Sequence, residues 1–227
     1  MSQAPRRQAA ASVHIRSGAV MLEGELVLPD QADGVVLFAH GSGSSRHSPR
    51  NQFVAQTIRE AGIGTLLFDL LTQDEEAEDR YTRHLRFDIA LLAERLVDAT
   101  YWIKGEFDHL HVGYFGASTG AAAALVAAAE LGEIVCAIVS RGGRPDLARG
   151  ALPRVKAPTL LVVGELDHPV IVLNEQAYAQ LRGEKEVEIV SGASHLFEEP
   201  GALEQVADLA ANWFRRHLGN RCRVAED

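Results

Sequence analysis

The run Gly116-Ala117-Ser118-Thr119-Gly120 sets a serine hydroxyl between two glycines, each two positions away. A serine hydroxyl is a poor nucleophile at neutral pH; it needs a base within hydrogen-bond reach, itself oriented by a carboxylate. Downstream, PTLLVVGELDHP carries Asp167 and EIVSGASHLFEEPG carries His195, each just past an apolar run. Upstream, His40-Gly41-Ser42-Gly43 closes another apolar run with glycine-rich chain whose amides can face a developing oxyanion. Nucleophile, base, orienting acid and oxyanion donors together would perform covalent acyl chemistry.

A GxSxG match by itself arises by chance about 7 times in 100 in a chain of this length, so its setting decides. LHVGYF at 110–115 reads as a strand, and the alanine-rich segment from Ser118 reads as a helix. Strand, sharp turn and helix in that order make a nucleophile elbow, where strained and closely approached backbone leaves no room for side chains at 116 and 120. The rival reading makes Ser118 a plain helix N-cap.

Competing residues sit in the same loops. Asp167 is preferred to Glu165 because the carboxylate belongs a few residues beyond the strand end, where the loop can turn inward. His195 is preferred to His168 because only it follows the last strand. His84, His109, His111 and His217 fall in or beside helix and strand patterns and read as surface or packing residues, while His40 reads as fixing its own loop through ring hydrogen bonds. The oxyanion donors are placed at the amides of Ser42 and Thr119, with Gly41 or Gly43 as alternatives to Ser42. This loop lacks the third glycine of GxGxxG and the GK[ST] of a P-loop, which argues against nucleotide binding. Arg46 and His47 beside that loop, and Arg141 after its own strand, stand at the same sheet edge. A guanidinium offers a planar fork to a carboxylate or phosphate, so these residues point to an anionic substrate unless they pair with local acids such as Asp69, Asp146 or Glu198.

The elements that must hold these groups are legible as a pattern. An N-terminal β-hairpin spans Val13 to Leu28. Apolar runs at 34–40, 64–69, 110–115, 134–140 and 158–164 read as strands buried on both faces, and 186–190 as a last, shorter one. Helical patterns lie between them at 50–61, 84–104, 118–131, 171–182 and 203–218, while the acidic run TQDEEAED at 72–79 reads as a solvated loop. This alternation predicts an α/β protein, a three-layer α/β/α sandwich around a mostly parallel sheet. The interval between Ser140 and Pro158 is too short for a cap domain, so the site should be open.

At 227 residues, 47% apolar and 23% charged, the chain suits a single domain, placed at 12–219 with loose tails at 1–11 and 220–227. A net charge of −9 argues against a nucleic-acid partner. Cys136 and Cys222 give neither a disulfide framework nor metal-ligand spacing, and no run approaches the roughly 20 apolar residues of a membrane span. The expectation is a cytoplasmic protein with no metal, cofactor or membrane partner, acting on a small acyl compound.

Residues 13–218 resemble an α/β-hydrolase-fold protein, and the HGSG loop, GASTG elbow, GELD and ASHLF segments are most similar to the dienelactone hydrolase family, with serine where that family has cysteine. The resemblance implies Ser118 as nucleophile, Asp167 as acid and His195 as base, cleaving an ester, lactone or thioester. Other outcomes compatible with the sequence are a non-catalytic binding protein of this fold, and an acyltransferase or perhydrolase using the same residues.

Overall fold

The computed structural model describes residues 10–219. The expected tails therefore lie almost wholly outside the described residues, although Ala11 already pairs with Leu26 in the first strand.

Strands β1 (Ala11–Ser17) and β2 (Val20–Val27) form the hairpin, turning at Gly18 with φ +55°. The other strands are β3 (Gly34–Ala39), β4 (Gly64–Phe68), β5 (His111–Ala117), β6 (Val135–Arg141), β7 (Thr159–Gly164) and β8 (Lys185–Val190). They make an eight-stranded sheet in the order β1-β2-β4-β3-β5-β6-β7-β8. The β1/β2 and β2/β4 pairs are antiparallel and the remaining pairs parallel.

Both faces of the sheet are covered, which is why the central strands are apolar throughout. Helix α1 (Pro49–Glu60) and α6 (Ala202–His217) bury Val54, Ile58, Val206, Ala210 and Phe214 against Val36, Phe38 and Val139 on one face. Helices α3 (Ile89–Glu106), α4 (Thr119–Leu131) and α5 (His168–Gln180) cover the alternate residues Val35, Leu37 and Ile138 on the other. Between β6 and β7 the chain makes only a kinked 3₁₀ segment, Pro145–Arg154, and no cap.

The acidic run departs from its expected form. Residues 73–82 are helix α2 (Gln73–Thr82), not a solvated loop. The cause is local and strong: Thr72 and Glu75 form a reciprocal capping box, and Asp74, Glu75 and Glu76 lie at the positive end of the helix. Arg83 ends it at φ +55°, so α3 starts only at Ile89, later than the periodicity suggests, capped by Asp88. Cys222 lies outside the described residues. No helix among those residues is long and apolar enough to cross a membrane.

Candidate active site

Ser118 sits between β5 and α4 with φ +50° and ψ −119°, a conformation costly for any residue with a Cβ. The flanking glycines make this turn possible. A Cβ on Gly116 would lie 2.4 Å from Ala121 Cα, and one on Gly120 would lie 2.0 Å from Ala39 O. The Ser118 amide donates to Arg141 O at 3.3 Å, and its carbonyl accepts from Ala121 and Arg144 amides at 3.2 and 3.1 Å. Backbone on both sides thus pins the turn. The Thr119 amide is in the first turn of α4, where N–H groups have no intrahelical partner.

Asp167 follows β7 and is the residue before α5. His195 Nδ1 donates to Asp167 Oδ2 at 2.6 Å, with the carboxylate largely buried. Glu165 is used differently: its Oε2 accepts from Ser191 Oγ at 2.8 Å and from the Gly192 amide at 2.7 Å. Those bonds, the Gly192 amide first, hold its carboxyl below the usual range. Glu165 therefore fastens the histidine loop rather than the imidazole. Gly164 permits that approach, since a Cβ there would lie 2.4 Å from Ala193 O. His168 is exposed at the start of α5.

The His195 loop lies against the end of β6. A Cβ on Gly142 would stand 3.5 Å from His195 Cε1, one residue after the carbonyl that receives the Ser118 amide. Among the described residues the Ser118 hydroxyl makes no hydrogen bond. Within that loop Phe197 is fully buried at φ +56°, an outlier for a bulky side chain.

The loop after β3 abuts the same serine: a Cβ on Gly41 would be 3.1 Å from Ser118 Cβ. The Ser42 amide donates to Thr119 Oγ1 at 3.0 Å, so the expected donor stands beside the elbow but is occupied. His40 anchors the loop as its sequence setting suggested. Its Nε2 accepts the Leu70 amide at 3.0 Å, which leaves Nδ1 as donor to Gly41 O at 3.1 Å. Burial, the dominant influence, lowers the His40 pKa and keeps the ring neutral.

Of the three residues expected to meet an anionic substrate, Arg46 requires correction. Its backbone amide and guanidinium bind Asp69, and its Nη2 binds Glu23 at 2.6 Å, so the fork is spent on local acids. His47 is exposed and lines an open groove of about 810 Å³ with Ser42, Arg50, Gln73 and Arg80. Arg141 is nine-tenths buried.

Helix α2, missed from the sequence, forms one wall of that groove. Arg95 donates to both carboxylate oxygens of Glu75, at 2.7 and 2.5 Å, and Arg86 binds the fully buried Asp79. Burial alone would raise both carboxyl pKa values; the arginines and nearby amides outweigh it and hold them low. The T-x-x-E capping box at 72–75 was the available signal. Among the described residues no group of three or more His, Cys, Asp or Glu is arranged to hold a metal.

A mostly parallel sheet wrapped by helices, with a strained serine at a strand-to-helix elbow, defines an α/β-hydrolase architecture. The chain belongs to the α/β hydrolase family, described as "Alpha/beta hydrolase domain", which matches residues 32–213. It is similar to a dienelactone hydrolase from Anabaena variabilis ATCC 29413, with 61% identity and a TM-score of 0.91 over 93% of this chain and 99% of that one. Est1E from Butyrivibrio proteoclasticus shares the fold at 15% identity, with a TM-score of 0.76 over 90% and 98% of the two chains. A Mycobacterium tuberculosis H37Rv protein named, provisionally, a phosphoribosyl transferase is 55% identical over 208 residues, 91% of this chain and 46% of that one. The chain thus spans about half the length of the curated relatives it matches.

Proposed function

We propose that this protein is a serine hydrolase that cleaves a small ester, lactone or thioester. The 2.6 Å His195–Asp167 hydrogen bond beside the Ser118 elbow carries the reading. Asp167 selects the tautomer with the proton on Nδ1, leaving Nε2 to take the proton of Ser118 as Oγ attacks the acyl carbon. The oxyanion is held by the Thr119 amide and by the Ser42 amide once it leaves Thr119 Oγ1. Collapse passes the proton from His195 to the leaving oxygen or sulfur. Water, deprotonated by the same imidazole, then releases the acid from Ser118. These steps use only the chain's own groups and water.

Family membership, together with the dienelactone hydrolase relative, supports the reaction class. A fluorophosphonate probe tests the nucleophile: wild type should label and Ser118→Ala should not. Equal labelling of the two, or none in folded wild type, would overturn the proposal. Supplying alcohol or peroxide acceptors and assaying products separates hydrolysis from acyl transfer.

A further inference from the structure

Helix α2 has two faces with different uses. Glu75 and Asp79, four residues apart, turn toward the body of the protein, where Arg95 and Arg86 hold them. Gln73, Glu76 and Arg80, spaced i, i+3 and i+7, line the open groove of about 810 Å³ that Ser42 also lines. The loop after β3 brings Ser44 and His47 to the same groove. Among the described residues none of these side chains, Ser42 apart, makes a hydrogen bond or ion pair. Glu76 is half-buried and also lines the narrow pocket at the elbow, with His40, Gly41 and Thr119. Its carboxylate therefore stands where the groove meets the residues proposed to hold the oxyanion.

The charges of the groove cancel. Arg46 is matched by Asp69 and Glu23, and Arg50 by Glu198, which leaves Glu76 and Arg80 among the acids and arginines of the lining. An anion would lose against Glu76 what it gained from Arg80, and a cation the converse. A neutral group rich in hydroxyls meets no such conflict, because each hydroxyl both donates and accepts. The Glu76 carboxylate can accept from neighbouring hydroxyls, Arg80 can donate, and the Gln73 amide and Ser44 can do both. Glycine aside, only Leu71 and Pro49 among the lining residues are apolar, so an alkyl group would find little to cover it.

We propose that this groove binds a neutral polyhydroxylated group of the substrate, a polyol or sugar, with Glu76 as the residue that selects it. The substrate class is then an ester or lactone whose reactive carbonyl lies at the elbow and whose hydroxyls lie along α2. The catalytic part of this inference rests on the hydrolase reading; the binding part does not.

Kinetics on two matched pairs of esters test the proposal and locate the hydroxyls. 1-Monobutyrin against propyl butyrate carries them on the alcohol; methyl glycerate against methyl propanoate carries them on the acyl group. For at least one pair, Glu76→Leu should lower the ratio of kcat/KM for the polyol ester over its plain partner by about tenfold or more, the loss expected on removing a charged hydrogen-bond partner. Glu76→Gln, which can still accept a hydrogen bond, should fall between. A drop in the first pair alone assigns the alcohol side, and in the second alone the acyl side. Ratios unchanged in both pairs overturn the proposal. Should Glu76→Leu not fold, Gln73→Leu at the exposed start of α2 decides, with a several-fold drop expected and none refuting. Titration of folded Ser118→Ala with sorbitol and, separately, with glycerol 3-phosphate tests binding without turnover. Saturable sorbitol binding that Glu76→Leu weakens supports the groove; binding of the phosphate alone makes it an anion site and overturns the neutral reading. Absent fluorophosphonate labelling and ester turnover, with Glu76-dependent sorbitol binding intact, would sink the hydrolase reading and leave the groove standing.

Discussion

Gly120→Ala tests whether the elbow is built by close backbone approach. A Cβ at this position would lie 2.0 Å from Ala39 O, and 2.6 Å from both Ala39 C and His40 O. A carbon resting on a carbonyl oxygen needs about 3.3 Å, so some atoms must retreat by about 1.3 Å. No flexible side chain can absorb this, because every obstructing atom is backbone at the end of β3. That strand is held on both sides, Phe38 pairing with Leu67 and Ala39 with Gly116. Overpacking a rigid site costs roughly 1–3 kcal/mol and occasionally more; with both neighbours immobile, about 3 kcal/mol or more is expected. The gain in helix propensity, about 1 kcal/mol at most, offsets only part. At roughly 2–4 °C per kcal/mol for a chain of this size, a net loss of 2–3 kcal/mol lowers Tm by about 4–12 °C. Thermal melts by circular dichroism measure it, with Gly105→Ala as control. Gly105 lies in α3, where an added Cβ would meet nothing within 4 Å and φ is not positive, so alanine there should hold or raise Tm. Because His40 leads into the loop proposed to hold the oxyanion, any Gly120→Ala protein that does fold should also lose activity. A Gly120→Ala melt within about 1 °C of wild type would refute the steric argument.

Hydrogen bonds in the loop after β3 set two further outcomes. Thr119→Val deletes the acceptor that occupies the Ser42 amide and frees that donor for the oxyanion, so kcat should hold or rise, by up to about tenfold, with little change in KM. Thr119→Ser, which keeps the hydroxyl, should behave as wild type; an about tenfold or greater loss of kcat in the valine variant alone would show that the bond orients the Ser42 amide rather than occupying it. His40 is buried and neutral with its pKa below the ordinary 6.5, so the unfolded chain binds the extra proton as pH falls through that value. Stability should therefore be full above pH ~6.5 and decline below it by at most about 1.4 kcal/mol per pH unit. Urea denaturation of wild type and His40→Gln at pH 7.5 and 5.5 measures the difference, and equal pH dependence in both would exclude His40 as its source.

What the residue order carried by itself was local. Continuous apolar runs named the buried strands, and the glycines at 116 and 120 marked the elbow. Each signal lies within a few residues of its consequence, as capping, turn geometry and strand burial do. The same kind of signal is present in α2, where the dense charge at 72–79 overlies a capping box. Partner choice across the fold was a different matter. Whether Asp167 or Glu165 meets His195, whether Arg46 or Arg141 finds an acid, and whether the Ser42 amide faces open cleft or Thr119 depend on which strand ends are neighbours. Arg46 is 23 residues from Asp69 and Ser42 is 77 from Thr119, and each pair meets because β3 lies between β4 and β5. Hydrogen bonds and ion pairs act over about 3–4 Å, and only the packed sheet brings such distant residues within that range. The tertiary structure alone decided that Arg46 is neutralised and that Arg141 is left with its charge unmatched.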